Sequence, residues 1–159
     1  MFIAPTASGN NGKAYLIYGS STSQNLALGS LSNAQGIAIS GDSSNSEAGW
    51  AVNLKFDINK DGKIDPLVGC VGYSSSSGRI FFVSGSASMS NTNLNSLSGS
   101  NYGSGSATGE EMGYSIASGG DADGDGAVDM IVGCKPNFLI VYLLCLLLVF
   151  LLCSSFIFL

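Results

Sequence analysis

Two stretches of the chain carry the same acidic pattern, Asp57-x-Asn59-x-Asp61-Gly62-x-x-Asp65 and Asp121-x-Asp123-x-Asp125-Gly126-x-x-Asp129, 64 residues apart. Oxygen-bearing side chains at the first, third, fifth and ninth positions of such a loop can converge on one hard cation, and glycine at the sixth allows the tight turn that gathers them. Oxygen donors suit calcium, magnesium or manganese, whereas zinc and copper favour sulfur or imidazole, and the chain has no histidine. Calcium is the expected ion at both sites, because one flexible loop offers many oxygens while magnesium keeps several waters and takes one or two carboxylates. The expected ligands are Asp57, Asn59, Asp61, Asp65 and the Lys63 carbonyl in the first loop, and Asp121, Asp123, Asp125, Asp129 and the Ala127 carbonyl in the second. A single copy would read equally well as an acidic turn built from ordinary turn formers. Two copies weigh against that.

An EF-hand would need a glutamate at the twelfth loop position and helices on both sides. Those positions hold Val68 and Val132, and the flanks read as strands. Trp50, Val52, Leu54 and Phe56 alternate with smaller or polar residues before the first loop, and Leu67-Val68-Gly69-Cys70-Val71 follows it. The result is a hairpin tipped by an acidic loop. Charge is local: seven of the 11 acidic residues lie in the two loops, so the net charge of -5 describes candidate metal sites rather than a polyanionic surface. The six basic residues are scattered singly, which speaks against a nucleic-acid partner.

The repeat extends beyond the loops. Glu47-Ala-Gly49-Trp50-Ala-Val52 aligns with Glu111-Met-Gly113-Tyr114-Ser-Ile116, and Val68-Gly69-Cys70 with Val132-Gly133-Cys134, at the same offset. Gly12-Lys-Ala-Tyr15 corresponds to Gly78-Arg-Ile-Phe81 at an offset of 66. In this combination of glycine-anchored strand, acidic loop and Val-Gly-small strand, residues 1 to 135 resemble the FG-GAP repeats of integrin alpha-chain beta-propellers. Pro66 stands where that family usually has leucine, and Cys70 and Cys134 where it has a small residue, so both cysteines are expected to be small buried side chains.

The resemblance implies an all-β fold of four-stranded antiparallel propeller blades, with each calcium loop joining the first two strands of a blade. Residues 1–19 would be the C-terminal half of one repeat, 20–85 a blade with the first calcium loop, and 86–135 a partial blade with the second. Strands are expected near residues 50 to 56, 66 to 71, 79 to 84 and 101 to 107, with a further one at 35 to 40. Trp50 and Tyr114 are expected to pack between blades rather than stack on a ligand. Closed propellers need about four to eight blades. An incomplete one would leave open blade faces for self-association.

Residues 136–159 form a hydrophobic tail, and 137–159 carry no charge. About 20 apolar residues suffice for a helix to cross a bilayer. Membrane insertion of this stretch gives a single-pass protein with extracellular repeats; read-through beyond a coding boundary is the other reading, and sequence does not separate them.

Function has three readings. The leading one is an integrin-alpha-like, adhesion-type binding module with structural calcium and a protein or extracellular ligand as partner. An incomplete gene product and the accessory domain of a hydrolase are the alternatives. An enzyme is not expected of the chain itself, because without histidine it has no Ser-His-Asp or Cys-His machinery. Gly103-Ser-Gly105-Ser-Ala-Thr-Gly109 lacks the Lys-Ser/Thr ending of a phosphate loop and reads as a flexible connection. The second loop has four carboxylates, whereas the first has three and carries Lys60 and Lys63, so the second is expected to hold calcium more tightly.

Overall fold

The computed structural model describes residues 2–4, 7–22, 25–97 and 101–135, with side chains described from residue 9 onward. Within them the chain is built from strands: β1 (Phe2–Ala4), β2 (Lys13–Ile17), β3 (Gly36–Ser40), β4 (Ala48–Asn53), β5 (Leu67–Cys70), β6 (Arg79–Phe82), β7 (Thr92–Asn93), β8 (Tyr102–Ser104), β9 (Ser115–Gly120) and β10 (Asp129–Gly133). They form three sheets, ordered β1-β2-β3-β7, β4-β5-β6-β8 and β10-β9. Pairing is antiparallel except where the short β7 runs parallel to β3. The all-β expectation therefore holds.

The middle sheet is covered on both faces, which explains its hydrophobic runs. Alternate residues of a strand face opposite sides of a sheet, and here each side meets a different core. Val68 and Cys70 of β5, with Phe81 of β6 and the adjoining Val83, join Ala14, Ile37 and Ile39 of the first sheet. Leu67, Ile80 and Phe82 join Phe56 on the other side, with Ile116, Met130 and Val132 of the third sheet packed against them. A strand buried on both faces needs apolar residues at every position, and glycine where a neighbouring backbone comes close. Gly69 meets that second demand, since its Cα lies against the backbone of Gly113.

The sheets are joined by a backbone junction that occurs twice. Between the first and second sheets, Glu47 and Ala48 donate their amides to the carbonyls of Asn10 and Asn11 at 2.9 and 3.0 Å, while within the first sheet Gly41, after β3, donates to Gly12, before β2, at 3.1 Å. Between the second and third, Glu111 and Met112 donate to Ser76 and Ser77 at 2.8 and 3.0 Å, while within the second sheet Gly105, after β8, donates to Gly78, before β6, at 3.0 Å. Each junction contains one isolated parallel bridge, Gly12 to Ala48 and Gly78 to Met112. The dihedrals recur as well. φ is 77° at Gly12 and 80° at Gly78, 53° at Glu47 and 49° at Glu111, 89° at Gly49 and 90° at Gly113. The sequence repeat is thus a repeat of the joint between sheets as much as of the sheets themselves.

Several expectations need correction. The first strand ends at Asn53 rather than Phe56, because the Asn53 side chain accepts the Lys55 amide at 2.9 Å and turns the chain. Val52 and Phe56 consequently serve different cores. Cys70 is fully buried, but Cys134 is exposed; Cys70 lies in the doubly covered sheet, whereas Cys134 lies just beyond β10. Among the described residues no helix is long and apolar enough to cross a membrane, so the expected single-pass membrane assignment is not carried by the structure. The apolar helix expected at 137–159 lies outside the described residues.

A side chain at Gly78 would collide with the backbone of Met112, and φ of 80° disfavours any L side chain. Gly78→Ala is expected to lower unfolding free energy by about 2–5 kcal/mol, summing overpacking and left-handed strain. Urea unfolding checks this, and a loss within about 0.5 kcal/mol, the usual range of a surface change, would contradict it.

Candidate metal centre

Each acidic loop folds on its own carboxylates. In the first, Asp57 accepts the amides of Asp61 and Gly62 at 3.1 and 2.9 Å, Asn59 accepts the amide of Asp61 at 3.0 Å, and Asp61 accepts that of Lys63 at 2.8 Å. In the second, Asp121 accepts from Gly124, Asp125 and Gly126 at 2.7, 3.1 and 2.8 Å, Asp123 from Asp125 at 3.0 Å, and Asp125 from Ala127 at 2.6 Å. Short Asx side chains bond readily to amides two residues on. The sixth-position glycines, Gly62 and Gly126, adopt φ of 81° and 84°, a turn that favours glycine.

The ninth-position aspartates close the loops differently. Asp65 is fully buried. One of its oxygens accepts the Ile58 amide at 2.8 Å and the other the Gly85 amide at 2.6 Å, so it ties the loop to the segment after β6. Asp129 is half-buried and accepts the amide of Ala122, the counterpart of Ile58.

The two loops also differ in convergence. Asp121, Asp123 and Asp129 each place a carboxylate oxygen within 4.8 Å of the others, a spacing that suits one shared cation. Among the described residues this is the one such group; Asp125, the fourth expected carboxylate, is outside it. The first loop has an amide, Asn59, where the second has Asp123, and the Lys63 ammonium sits 3.2 Å from Asp61. Asp57, Asn59, Asp61 and Asp65 share one loop, with Asp65 turned to two backbone amides, that of Gly85 buried and that of Ile58 part-buried.

Backbone donors hold two of these carboxyls below the ordinary carboxylate range. For Asp61 the largest cause is the Lys63 amide; for Asp121 it is the Gly126 amide, with the charge of Lys60 adding to it. A depressed folded-state value means that the stabilisation is present above the unfolded pKa, about 3.9, and is lost as pH falls through the lower folded value. Asp61 and Asp121 therefore stay anionic to lower pH than a free aspartate would.

No family model matches the chain, and no curated protein matches it. The geometry carries the argument alone.

Sequence reasoning missed two features of the centre. The bond from Asp65 to Gly85 spans 20 residues, and no local pattern marks it. Lys60, assigned by its position to the first loop, points to the second, 3.6 Å from the Asp125 carboxylate and 3.4 Å from its carbonyl. Trp50 of β4 and Tyr114, just before β9, lie against each other with ring centres 5.5 Å apart, and both are more than a third exposed.

Removing the fully buried Asp65 carboxylate leaves the buried Gly85 amide and the part-buried Ile58 amide without their acceptor, at about 1–3 kcal/mol for a buried donor and less for a part-buried one. Asp65→Ala is expected to cost roughly 2–5 kcal/mol in metal-free buffer, more than Asp129→Ala, whose carboxylate is only half-buried. Chemical denaturation of both variants checks this, and equal losses would contradict it.

Proposed function

We propose that the chain is a calcium-binding repeat protein of the FG-GAP, integrin-alpha-like type, in which two loop-borne calcium ions stiffen a protein-binding scaffold of the adhesion kind. The observation that supports it most is the convergence of Asp121, Asp123 and Asp129 on one point, in a loop whose pattern recurs 64 residues earlier. All the donors are oxygens, which fits calcium. Asp121, Asp123, Asp125 and Asp129 with the Ala127 carbonyl would hold one ion, and Asp57, Asn59, Asp61 and Asp65 with the Lys63 carbonyl the other. Bound calcium neutralises clustered carboxylates and adds its binding free energy to folding.

The finer fold belongs to the same proposal. An antiparallel sheet ordered β4-β5-β6-β8, with an acidic loop between its first two strands, is what a propeller blade of this family would look like. The repeated junction is how successive blades would stack. Binding rather than catalysis is the role assigned, since seven of the 11 acidic groups lie in the loops and the chain has no histidine to serve as a base. Partner recognition would fall to the connections between strands, and open blade faces would allow self-association.

Isothermal titration of calcium into the chain is expected to show saturable binding with dissociation constants between about 1 µM and 1 mM. Asp123→Ala is expected to weaken the second site at least tenfold while sparing the first, and magnesium to compete poorly. The absence of calcium heat in this range, or a full response in Asp123→Ala, would contradict the proposal.

A further inference from the structure

A cation that pairs with the second acidic loop comes from the first. Lys60 occupies the fourth position of its own loop, with φ of 56°, a left-handed conformation that lysine rarely adopts. Its ammonium lies 3.6 Å from the Asp125 carboxylate and 3.4 Å from the Asp125 carbonyl oxygen. Among the described residues, Lys60 is the basic residue that forms an ion pair with the second loop. Lys63, by contrast, pairs within its own loop, with Asp61 at 3.2 Å. The two lysines of one loop thus face different acidic centres.

Resting on the calcium reading above, we propose that Lys60 sets the cation affinity of the second loop, acting across the gap between loops as a tethered positive charge that opposes a divalent ion there. A lysine ammonium and a calcium ion within a few ångströms repel, and the pair to Asp125 must loosen when the ion draws that carboxylate in. The contact is exposed, with side-chain accessibilities of 52% and 55%, so the effect is moderate and sensitive to salt. The sequence-based expectation counts Lys60 against the first loop. The structure assigns that penalty to the second, where it offsets part of the advantage of four carboxylates over three.

The test is a calcium titration of the full chain at low ionic strength, followed by two-dimensional amide NMR. The Gly62 and Gly126 amides report the two loops separately. Lys60→Met is expected to tighten binding at Gly126 by roughly three- to tenfold, the size of an exposed charge interaction, with a smaller change at Gly62. Lys60→Arg, which keeps the charge, is expected to retain the original affinity. Lys13→Met, a change of the same net charge on β2 of the first sheet, is expected to leave the Gly126 titration where it was. An unchanged Gly126 affinity in Lys60→Met, or a gain confined to Gly62, would overturn the assignment while leaving the calcium sites standing. Equal gains in Lys60→Met and Lys13→Met would also overturn it, as a net-charge effect. If calcium moves neither glycine amide in the unaltered chain, the calcium reading fails and the role of Lys60 fails with it.

Discussion

The backbone junction between successive sheets is the constraint on which the rest of the structure depends. At Gly12 and again at Gly78, one sheet presents a glycine in a left-handed conformation to a parallel bridge from the start of the next. The approach is too close for a Cβ. That contact fixes where β4 and β9 begin, and therefore where the acidic loops that follow them project. It also brings the middle sheet between two apolar cores, so that β5 and β6 are hydrophobic at nearly every position. Amide-to-carbonyl bonds at the junction satisfy groups that would otherwise be buried without partners. The same bonds explain why Glu47 and Glu111 tolerate positive φ, a cost of about 1–2 kcal/mol each that the surrounding contacts offset.

The acidic loops stand on this scaffold as preorganised oxygen clusters. Their carboxylates are oriented by backbone amides, which keeps like charges close at tolerable cost because each amide dipole stabilises the anion it faces. Preorganisation of this kind reduces the ordering that binding must supply. It differs between the loops. Asp65 is anchored to the body of the middle sheet through Gly85, while Asp129 remains near Asp121 and Asp123. Proximity also makes the loops neighbours in an electrostatic sense, since Lys60 of one rests on Asp125 of the other.

Much of this was legible in the chain. Strands at Gly36–Ser40, Leu67–Cys70, Arg79–Phe82 and Tyr102–Ser104 fall where alternation, apolar runs and glycine-rich punctuation place them, and the offset of 64 to 66 residues marks the repeated junction. The candidate ligands follow from spacing, because an Asx loop is a local structure. What was not legible is non-local. Asn53 ends its strand through a side-chain bond that an alternating pattern does not reveal. Cys134 shares a motif position with Cys70 yet differs in burial, because burial depends on what covers the strand and not on the motif. The direction of Lys60 depends on how two sheets are docked. Arg79 is a similar case. It lies over the Tyr73 and Tyr102 rings and reaches the side chain of Asp42 at 3.4 Å, joining residues up to 60 positions apart. In sequence it is an isolated basic residue beside an apolar run.

The central claim is that two calcium ions belong to the folded state of this chain, and thermal melting as a function of free calcium tests it most directly. A ligand that binds the native state alone raises stability by RT ln(1 + [L]/Kd) at each site. The account predicts a melting temperature that climbs with the logarithm of calcium concentration, with the limiting slope of two ions, and little response to magnesium. A melting temperature unmoved by calcium up to about 10 mM, above the weakest range of such loops, would contradict it.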